Sequence, residues 1–305
     1  MELRFKSLPA LLNHFKDEAT CIKYLELKRW NGKPICPHCG NDRVYRTNRG
    51  FKCAKVTCHK KFSVTVGTVL ENSKIKLSIW FAAIYVVTAH KKGISSLQLS
   101  RDLGVCQKTA WFMLHRIREM LRVKQPVLLT GEIQGDETFV GGKNKNRHAN
   151  KKIKESQGRS CKDKTPVFGL LADGKVNTTV VTDTRAESLK PIIFSMVERG
   201  SIMITDEWGA YNGLNSSYQH EVLKHNANEY VRDGFHTNSI EGFWSLLKRG
   251  IFGIYHSVSP KHLNKYCDEF SYRYNTRKIK DDERFSGSLT HIQGRLTFDQ
   301  LRAKK

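Results

Sequence analysis

The stretch "CPHCGNDRVYRTNRGFKCAKVTC" constrains this chain more than any other. Cys36 and Cys39 stand as C-x2-C, thirteen residues follow, and Cys53 and Cys58 stand as C-x4-C. Zinc takes a tetrahedral shell, and thiolates are its preferred structural ligands. Four cysteines on two knuckles therefore predict one closed site, structural and not catalytic. Gly40, directly after the first knuckle, permits the tight backbone that such a turn needs. "RVYRT" and "GFKCA" read as short strands joined by "NRG", a hairpin signal. The pattern is that of a zinc ribbon holding one Zn²⁺, with a second knuckle wider than the first. His38 and His59 stand nearby, but the four cysteines already fill the shell. Cys21, Cys106, Cys161 and Cys267 are scattered and read as small core or loop residues. Ahead of the ribbon, "FKDEATCIKYLELKRW" reads as a short helix that stops at "NGKP".

The rest of the composition suits a multidomain protein with a polyanionic partner. The 305 residues are 39% hydrophobic, enough for a core in two or three domains. Lys and Arg number 52 against 29 Asp and Glu, a net charge of +23 spread from end to end. Nucleic acid is the commonest partner for such an excess. The longest apolar run, "IWFAAIYVV" at 79–87, is too short to span a bilayer, and no secretory signal opens the chain. The expectation is a cytoplasmic, nucleoid-associated protein with no membrane partner, whose cysteines are thiols or metal ligands.

After the ribbon, "SKIKLSIWFAAIYVVTAHKKGISSLQLSRDLGVCQKTAWFMLHRIREML" reads as three helices, about 77–90, 95–103 and 107–121. Ser95 and Ser96 are candidate N-caps of the second. Trp111, Leu114, Ile117 and Leu121 recur along one face of the third. The last two helices, separated by "GVCQ", form a helix-turn-helix signature. Gln107, Lys108, His115, Arg116 and Arg118 are then expected to face DNA.

From about Pro126 the texture turns to strands. "GEIQGDETFVGG", "PVFGLLAD" and "KVNTTVV" read as the first three, with a "DG" hairpin at 173–174. "AESLKPIIFSMVERG" reads as an amphipathic helix with Pro191 near its start. "SIMIT" ends directly at Asp206, and "YQHEVLKH" reads as a fifth strand. The whole is a mixed, ribonuclease-H-like α/β sheet in which strands one and four are neighbours. Asp136 and Asp206 then meet at one edge, and a helix across that edge adds Glu241. Three converging carboxylates repel one another unless cations neutralise them. Mg²⁺ or Mn²⁺, hard ions with oxygen ligands, are the expected cofactors, two in number. On that helix Asn238, Glu241 and Lys248 share a face, so that Glu241 can ligate metal while Lys248 meets a phosphate.

The segments "RWNGKPICPHCG", "CHKKFSVTVGTVLENSKIKLSIWF", "GDETFVGGK", "TDEWGAYNGL" and "HTNSIEGFWSLLKRGIFGIYH" resemble those of a family. It is the DDE transposases of bacterial insertion sequences that carry an N-terminal zinc ribbon. The resemblance spans about 30 to 256, and the later "YNTRK" fits too. It implies Asp136, Asp206 and Glu241 as the catalytic acids and metal ligands, with Lys248 as an accessory residue that contacts phosphate. The third acidic position varies among relatives, so Asn238 or His236 stand beside Glu241 as candidates for it. Glu137 and Glu207 are decoys expected to point away.

Residues 141–164 hold nine Lys or Arg against two acids and read as a flexible loop that orders on DNA. The expected divisions are 1–70 (helix and ribbon), 71–125 (helix-turn-helix), 126–290 (catalytic domain) and 291–305 (tail). The expected function is a DNA transposase that binds its element's terminal inverted repeats, nicks the ends and joins the 3′ hydroxyls to target DNA. It would work as a homodimer or larger assembly. The rivals are a non-catalytic DNA-binding regulator and a structure-selective nuclease on the same fold.

Overall fold

The computed structural model describes residues 5–122, 128–142, 148–154, 160–223, 231–232 and 234–303. They fall into two compact units, one of residues 1–122 with 276–305 and one of residues 123–275. The boundary expected at 125/126, much of the basic loop, and the end of the expected fifth strand lie outside the described residues.

The first unit opens with α1 (Leu8–His14) and α2 (Glu18–Trp30). Asp17 caps α2 by accepting the Thr20 N–H at 2.8 Å. Left-handed Asn31 ends it. The ribbon follows as an antiparallel sheet in the order β1 (Val44–Thr47), β2 (Gly50–Cys53), β3 (Lys61–Phe62). Its inner face buries Phe51 and Phe62 beside Cys36 and Cys53, with Trp30 edge-on to Phe51 at 5.5 Å. α3 (Leu77–Ala89) is buried on nearly every side from Trp80 to Thr88, so the apolar run at 79–87 is a core helix. α4 (Ser96–Leu103) is capped by Ser95, ends at left-handed Gly104, and leads into α5 (Gln107–Leu121). Together α4 and α5 make the helix-turn-helix.

The second unit is built on a five-stranded sheet. β4 (Glu132–Val140), β5 (Thr165–Ala172) and β6 (Lys175–Val180) are antiparallel. Asp173 and Gly174, both at positive φ, close the second hairpin. α6 (Ala186–Met196) crosses to β7 (Ile202–Asp206), and β8 (Gln219–Leu223) follows. β7 runs parallel to both β4 and β8, giving the order β6-β5-β4-β7-β8. Three antiparallel strands followed by two parallel ones make a ribonuclease-H-like sheet. β9 (Val231–Arg232) and β10 (Phe235–His236) form a small hairpin before α7 (Asn238–Gly250), a π-helical turn at Ile251–Tyr255, and α8 (Pro260–Asn275).

Strand alternation assigns the two faces of the large sheet. Ile133, Phe168, Leu170 and Met203 pack under Leu189 and Ile193 of α6. Val140, Val167 and Leu171 pack under Ile240, Phe243, Trp244 and Leu247 of α7 and Phe270 of α8. Pro191 lies inside α6 and not near its start. It removes one backbone bond, and the helix still forms because Leu189 and Ile193 are fully buried on either side of it.

The chain then returns to the first unit as α9 (Asp281–Ser288) and α10 (Phe298–Arg302). Val69 N–H bonds to Ile292 C=O at 3.0 Å and Gly294 N–H to Gly67 C=O at 3.1 Å. Phe285 joins Phe15, Tyr24 and Phe81 in one aromatic cluster, and Arg284 donates to the Thr88 carbonyl at 3.3 Å. Residues 291–303 are thus integral to this unit and do not form a loose tail.

This return corrects the expected DNA-facing set on α5. His115, Arg116 and Arg118 are all buried. Arg116 Nε donates to the Leu296 carbonyl at 3.2 Å, and its guanidinium lies 4.3 Å from the Phe112 ring. His115 packs on Trp111 at 4.4 Å. The covering strand of chain makes an inner face of what looks, on α5 alone, like a polar stripe. Gln107 and Lys108 remain exposed at the start of α5.

Candidate active site

The four cysteines of the ribbon come together from both knuckles. Cys39 and Cys53 sulfurs lie 3.6 Å apart, Cys36 and Cys58 3.9 Å apart, and all four fall within 4.8 Å of one another. A tetrahedron with Zn–S bonds of about 2.3 Å spaces its sulfurs by roughly 3.8 Å, so the set fits a structural zinc ion. The Lys55 N–H points at Cys53 Sγ at 3.4 Å, the kind of donor that steadies a metal thiolate. Zinc content checks this: wild-type protein should carry one zinc per chain by atomic emission. Cys53→Ser should carry none and lose the ribbon's near-ultraviolet aromatic signal, because Phe51, Phe62 and Trp30 are too small a core to hold it.

The carboxylates are brought together by strand register. Gln134 of β4 stands level with Ile204 of β7. Two residues further along both strands, the same parallel register sets Asp136 level with Asp206. α7 lies over the same face of the sheet and brings Glu241. Burial pushes the Asp136 carboxyl up to about 6, and the negative charges of Asp206 and Glu241 push in the same direction, against bonds from the Glu137 N–H and Trp244. The three acids are therefore within electrostatic reach. Among the described residues, only the ribbon cysteines gather three or more metal-binding groups within 4.8 Å. Each acid has a local anchor. Asp206 accepts the Trp208 N–H at 3.0 Å, and Glu241 accepts the Thr237 hydroxyl at 2.9 Å.

Asn238 is exposed in the first turn of α7, and Lys248 is half-buried two turns beyond Glu241. His236 lies 3.4 Å from Gln134 Nε2, while Gln134 Oε1 accepts the Ile240 N–H. Gln134 thereby ties β4 to the start of α7. Glu137 sits on the opposite face of β4 and accepts the Tyr211 hydroxyl at 2.7 Å. Glu207 is exposed just past the end of β7.

Reading the sequence missed Trp244. Its indole N–H donates to Asp136 Oδ2 at 3.0 Å, from a side chain buried against the sheet. The ring reaches there because Gly169, paired with Asp136 across β4 and β5, has no side chain. A Cβ at Gly169 would lie 2.6 Å from the indole. A glycine interrupting the apolar strand "PVFGLLAD" was the available signal, since it marks a close approach.

The comparisons with known proteins agree with this architecture. Residues 128–275 match the model of the ISXO2-like transposase domain, and residues 16–61 match that of the transposase zinc-ribbon domain. A transposase-like protein of Haemophilus influenzae is 30% identical over 107 residues, which are 35% of this chain and 85% of that protein. The chain belongs to the ISXO2-like transposases. An uncharacterised protein in transposable element ISH50 of Halobacterium salinarum is 28% identical over 275 residues, 85% of this transposase and 91% of that protein. Among solved structures, a pre-cleavage Mos1 transpososome aligns with 97% of this chain and 100% of that one, at 14% identity and a TM-score of 0.26. A simian T-cell lymphotropic virus intasome aligns with 58% and 63% of the two chains, at 16% identity and 0.30. No helix among the described residues of this transposase is long and apolar enough to cross a membrane.

Proposed function

We propose that the chain is a DNA transposase that nicks the ends of its element and joins the freed 3′ hydroxyls to target DNA. The observation that carries the reading is the level register of Asp136 and Asp206 beneath Glu241, with Asp136 held in a site that disfavours its charge. Asp136, Asp206 and Glu241 would hold two Mg²⁺ or Mn²⁺ ions. A half-buried carboxyl pushed up beside two other acids fits a hard divalent cation, which takes oxygen ligands and relieves the repulsion. When bound, such ions supply Lewis-acid activation of the attacking and leaving oxygens. Trp244 fixes the Asp136 carboxylate, Thr237 fixes Glu241, and Lys248 contacts the scissile phosphate. Asn238, at the start of α7, and His236, just before it, are the alternatives to Glu241 for the third ligand position.

In the first step a water oxygen attacks the phosphorus at the element's end, and the 3′ oxygen leaves as a hydroxyl. In the second, that hydroxyl attacks a target phosphodiester, whose own 3′ oxygen leaves in turn. Phosphodiester bonds are conserved in the joining step, so no nucleotide cofactor is required. The ribbon and the helix-turn-helix would hold the terminal repeats, and joining two ends calls for a dimer or larger assembly.

A strand-transfer assay tests this, with a short duplex ending in the flanking repeat, a supercoiled target and Mg²⁺ or Mn²⁺. Joined products should fall by roughly 1,000-fold or more in Asp136→Ala and Asp206→Ala, about 4 kcal/mol of lost transition-state stabilisation. Glu241→Ala, Asn238→Ala and His236→Ala then assign the third ligand. Nicking without joining would favour a nuclease, and repeat binding without cleavage under either metal would favour a regulator.

A further inference from the structure

The two faces of the ribbon sheet differ in kind. The inner face carries the packed rings and the thiols. The outer face carries Tyr45 on β1 with Arg43 just before that strand, Lys52 on β2 with Ala54 just after it, and Lys61 on β3. Register places Tyr45 directly opposite Lys52, and Lys52 directly opposite Lys61. Ala54 donates its N–H to the Arg43 carbonyl, so these two residues pair next to the Tyr45–Lys52 pair. The result is an aromatic ring in a row with two ammonium groups and a guanidinium next to it.

That ring is open. Tyr45 is 61% exposed and Val56 85% exposed, while Arg43, Lys55 and Lys61 are also exposed. Tyr45, Arg43, Ala54, Lys55 and Val56 line a concavity of about 490 Å³ that continues the face toward the first knuckle. Asp42 is the one acid between Lys33 and Lys61, so the charge of the face is almost wholly positive. An exposed aromatic ring with two ammonium groups on one side across the sheet and a guanidinium two residues along the chain is complementary to a base with its neighbouring phosphates. The base must be unstacked to reach it, because in a duplex both π-faces of every base are covered.

We propose that this outer face binds single-stranded DNA, with a base stacked on Tyr45 and the flanking phosphates on Arg43, Lys52 and Lys61. In a transposase such strands arise where an element's ends are opened or nicked. The inference rests on the DNA-acting reading above and names a substrate form and a site that the reading leaves open.

Fluorescence anisotropy of the full-length, zinc-loaded protein tests it, without Mg²⁺ or Mn²⁺. The probes are a short labelled single strand and the same sequence as a duplex. Tyr45→Ala should weaken single-strand binding by roughly 5- to 150-fold, the range for losing one base–aromatic stack. It should change duplex binding by no more than about twofold, and Tyr45→Phe should restore single-strand affinity. Lys52→Gln with Lys61→Gln should reduce the salt slope by about 1.4, or 0.7 per phosphate on a single strand. Equal weakening of single strand and duplex in Tyr45→Ala, or no weakening at all, would overturn the proposal. Zinc content in each variant shows that the ribbon is intact. Because no catalytic metal is added, failed strand transfer with this binding intact would sink the catalytic reading alone. Lost single-strand specificity with normal strand transfer would sink this one alone.

Discussion

Gly169→Val should cost the transposase more than an ordinary strand substitution. A Cβ at this position meets the Trp244 ring at 2.6 and 2.7 Å and the Ile240 side chain at 3.2 Å, and valine adds two methyl groups beyond it. Overpacking of this kind costs about 1–3 kcal/mol. Displacing the indole also takes a donor from half-buried Asp136, which adds a lost hydrogen bond to a charged acceptor of about 1.5–3 kcal/mol. In a unit of this size the sum corresponds to a fall in Tm of roughly 5–20 °C. Strand transfer should drop by about 100-fold or more, since Glu241 rides on the same helix. Trp244→Phe separates the two effects. It keeps most of the packing and loses only the donor, so its Tm should fall by a few degrees while the Mn²⁺-induced rise in Tm shrinks. In Trp244→Leu, Gly169→Val should cost less than in the wild type, because the clash is gone. Additive losses in that double variant would mean that the glycine serves something other than the indole.

The second large effect should come from the interior of α8. Glu269 and Arg273 form an ion pair one turn apart, with side-chain exposures of 0% and 3%. Tyr255 donates its hydroxyl to the same Glu269 oxygen at 2.6 Å, and the guanidinium lies 5.3 Å from the Phe270 ring. Arg273→Ala leaves a carboxylate in a dry site, which costs about 3–5 kcal/mol. Urea denaturation should show that loss as a lower midpoint with an unchanged slope. Replacing both partners, Glu269→Leu with Arg273→Met, should recover most of the stability, because paired buried charges add little beyond well-packed apolar groups. A double variant as unstable as the single one would show that the pair contributes more than the absence of an orphan charge.

The parts of the molecule that can be read from the sequence are those whose signals are local. Cysteine spacing marks the ribbon, and alternating or continuous apolar runs mark β4 to β8. The amphipathic pattern of "NSIEGFWSLLKRG" marks α7 and separates its buried Phe243 and Leu247 from exposed Asn238 and Glu241. The meeting of Asp136 and Asp206 is also accessible, because both sit on strands whose adjacency the fold class dictates. What escaped depends on partners far along the chain. Arg116 is an inner residue only because Leu296, 180 positions later, lies against it. Trp244 reads as one more apolar residue of a helix until Gly169 is seen to give its ring a seat against Asp136. No change of composition near Asn275 announces that the chain is about to rejoin its first unit.

That return has a consequence for how the protein is made. Residues 67–69 pair with 292–294, and Phe15, Tyr24 and Phe81 close around Phe285. During synthesis the sheet unit has all of its strands in hand before its predecessor does. The apolar α3 emerges early and must wait, with one side uncovered, until about residue 294 has left the ribosome. A copy of the gene interrupted just after the sheet unit would therefore encode a finished sheet unit attached to an unfinished partner. Such a product would be a target for proteolysis, with the apolar α3 left partly uncovered.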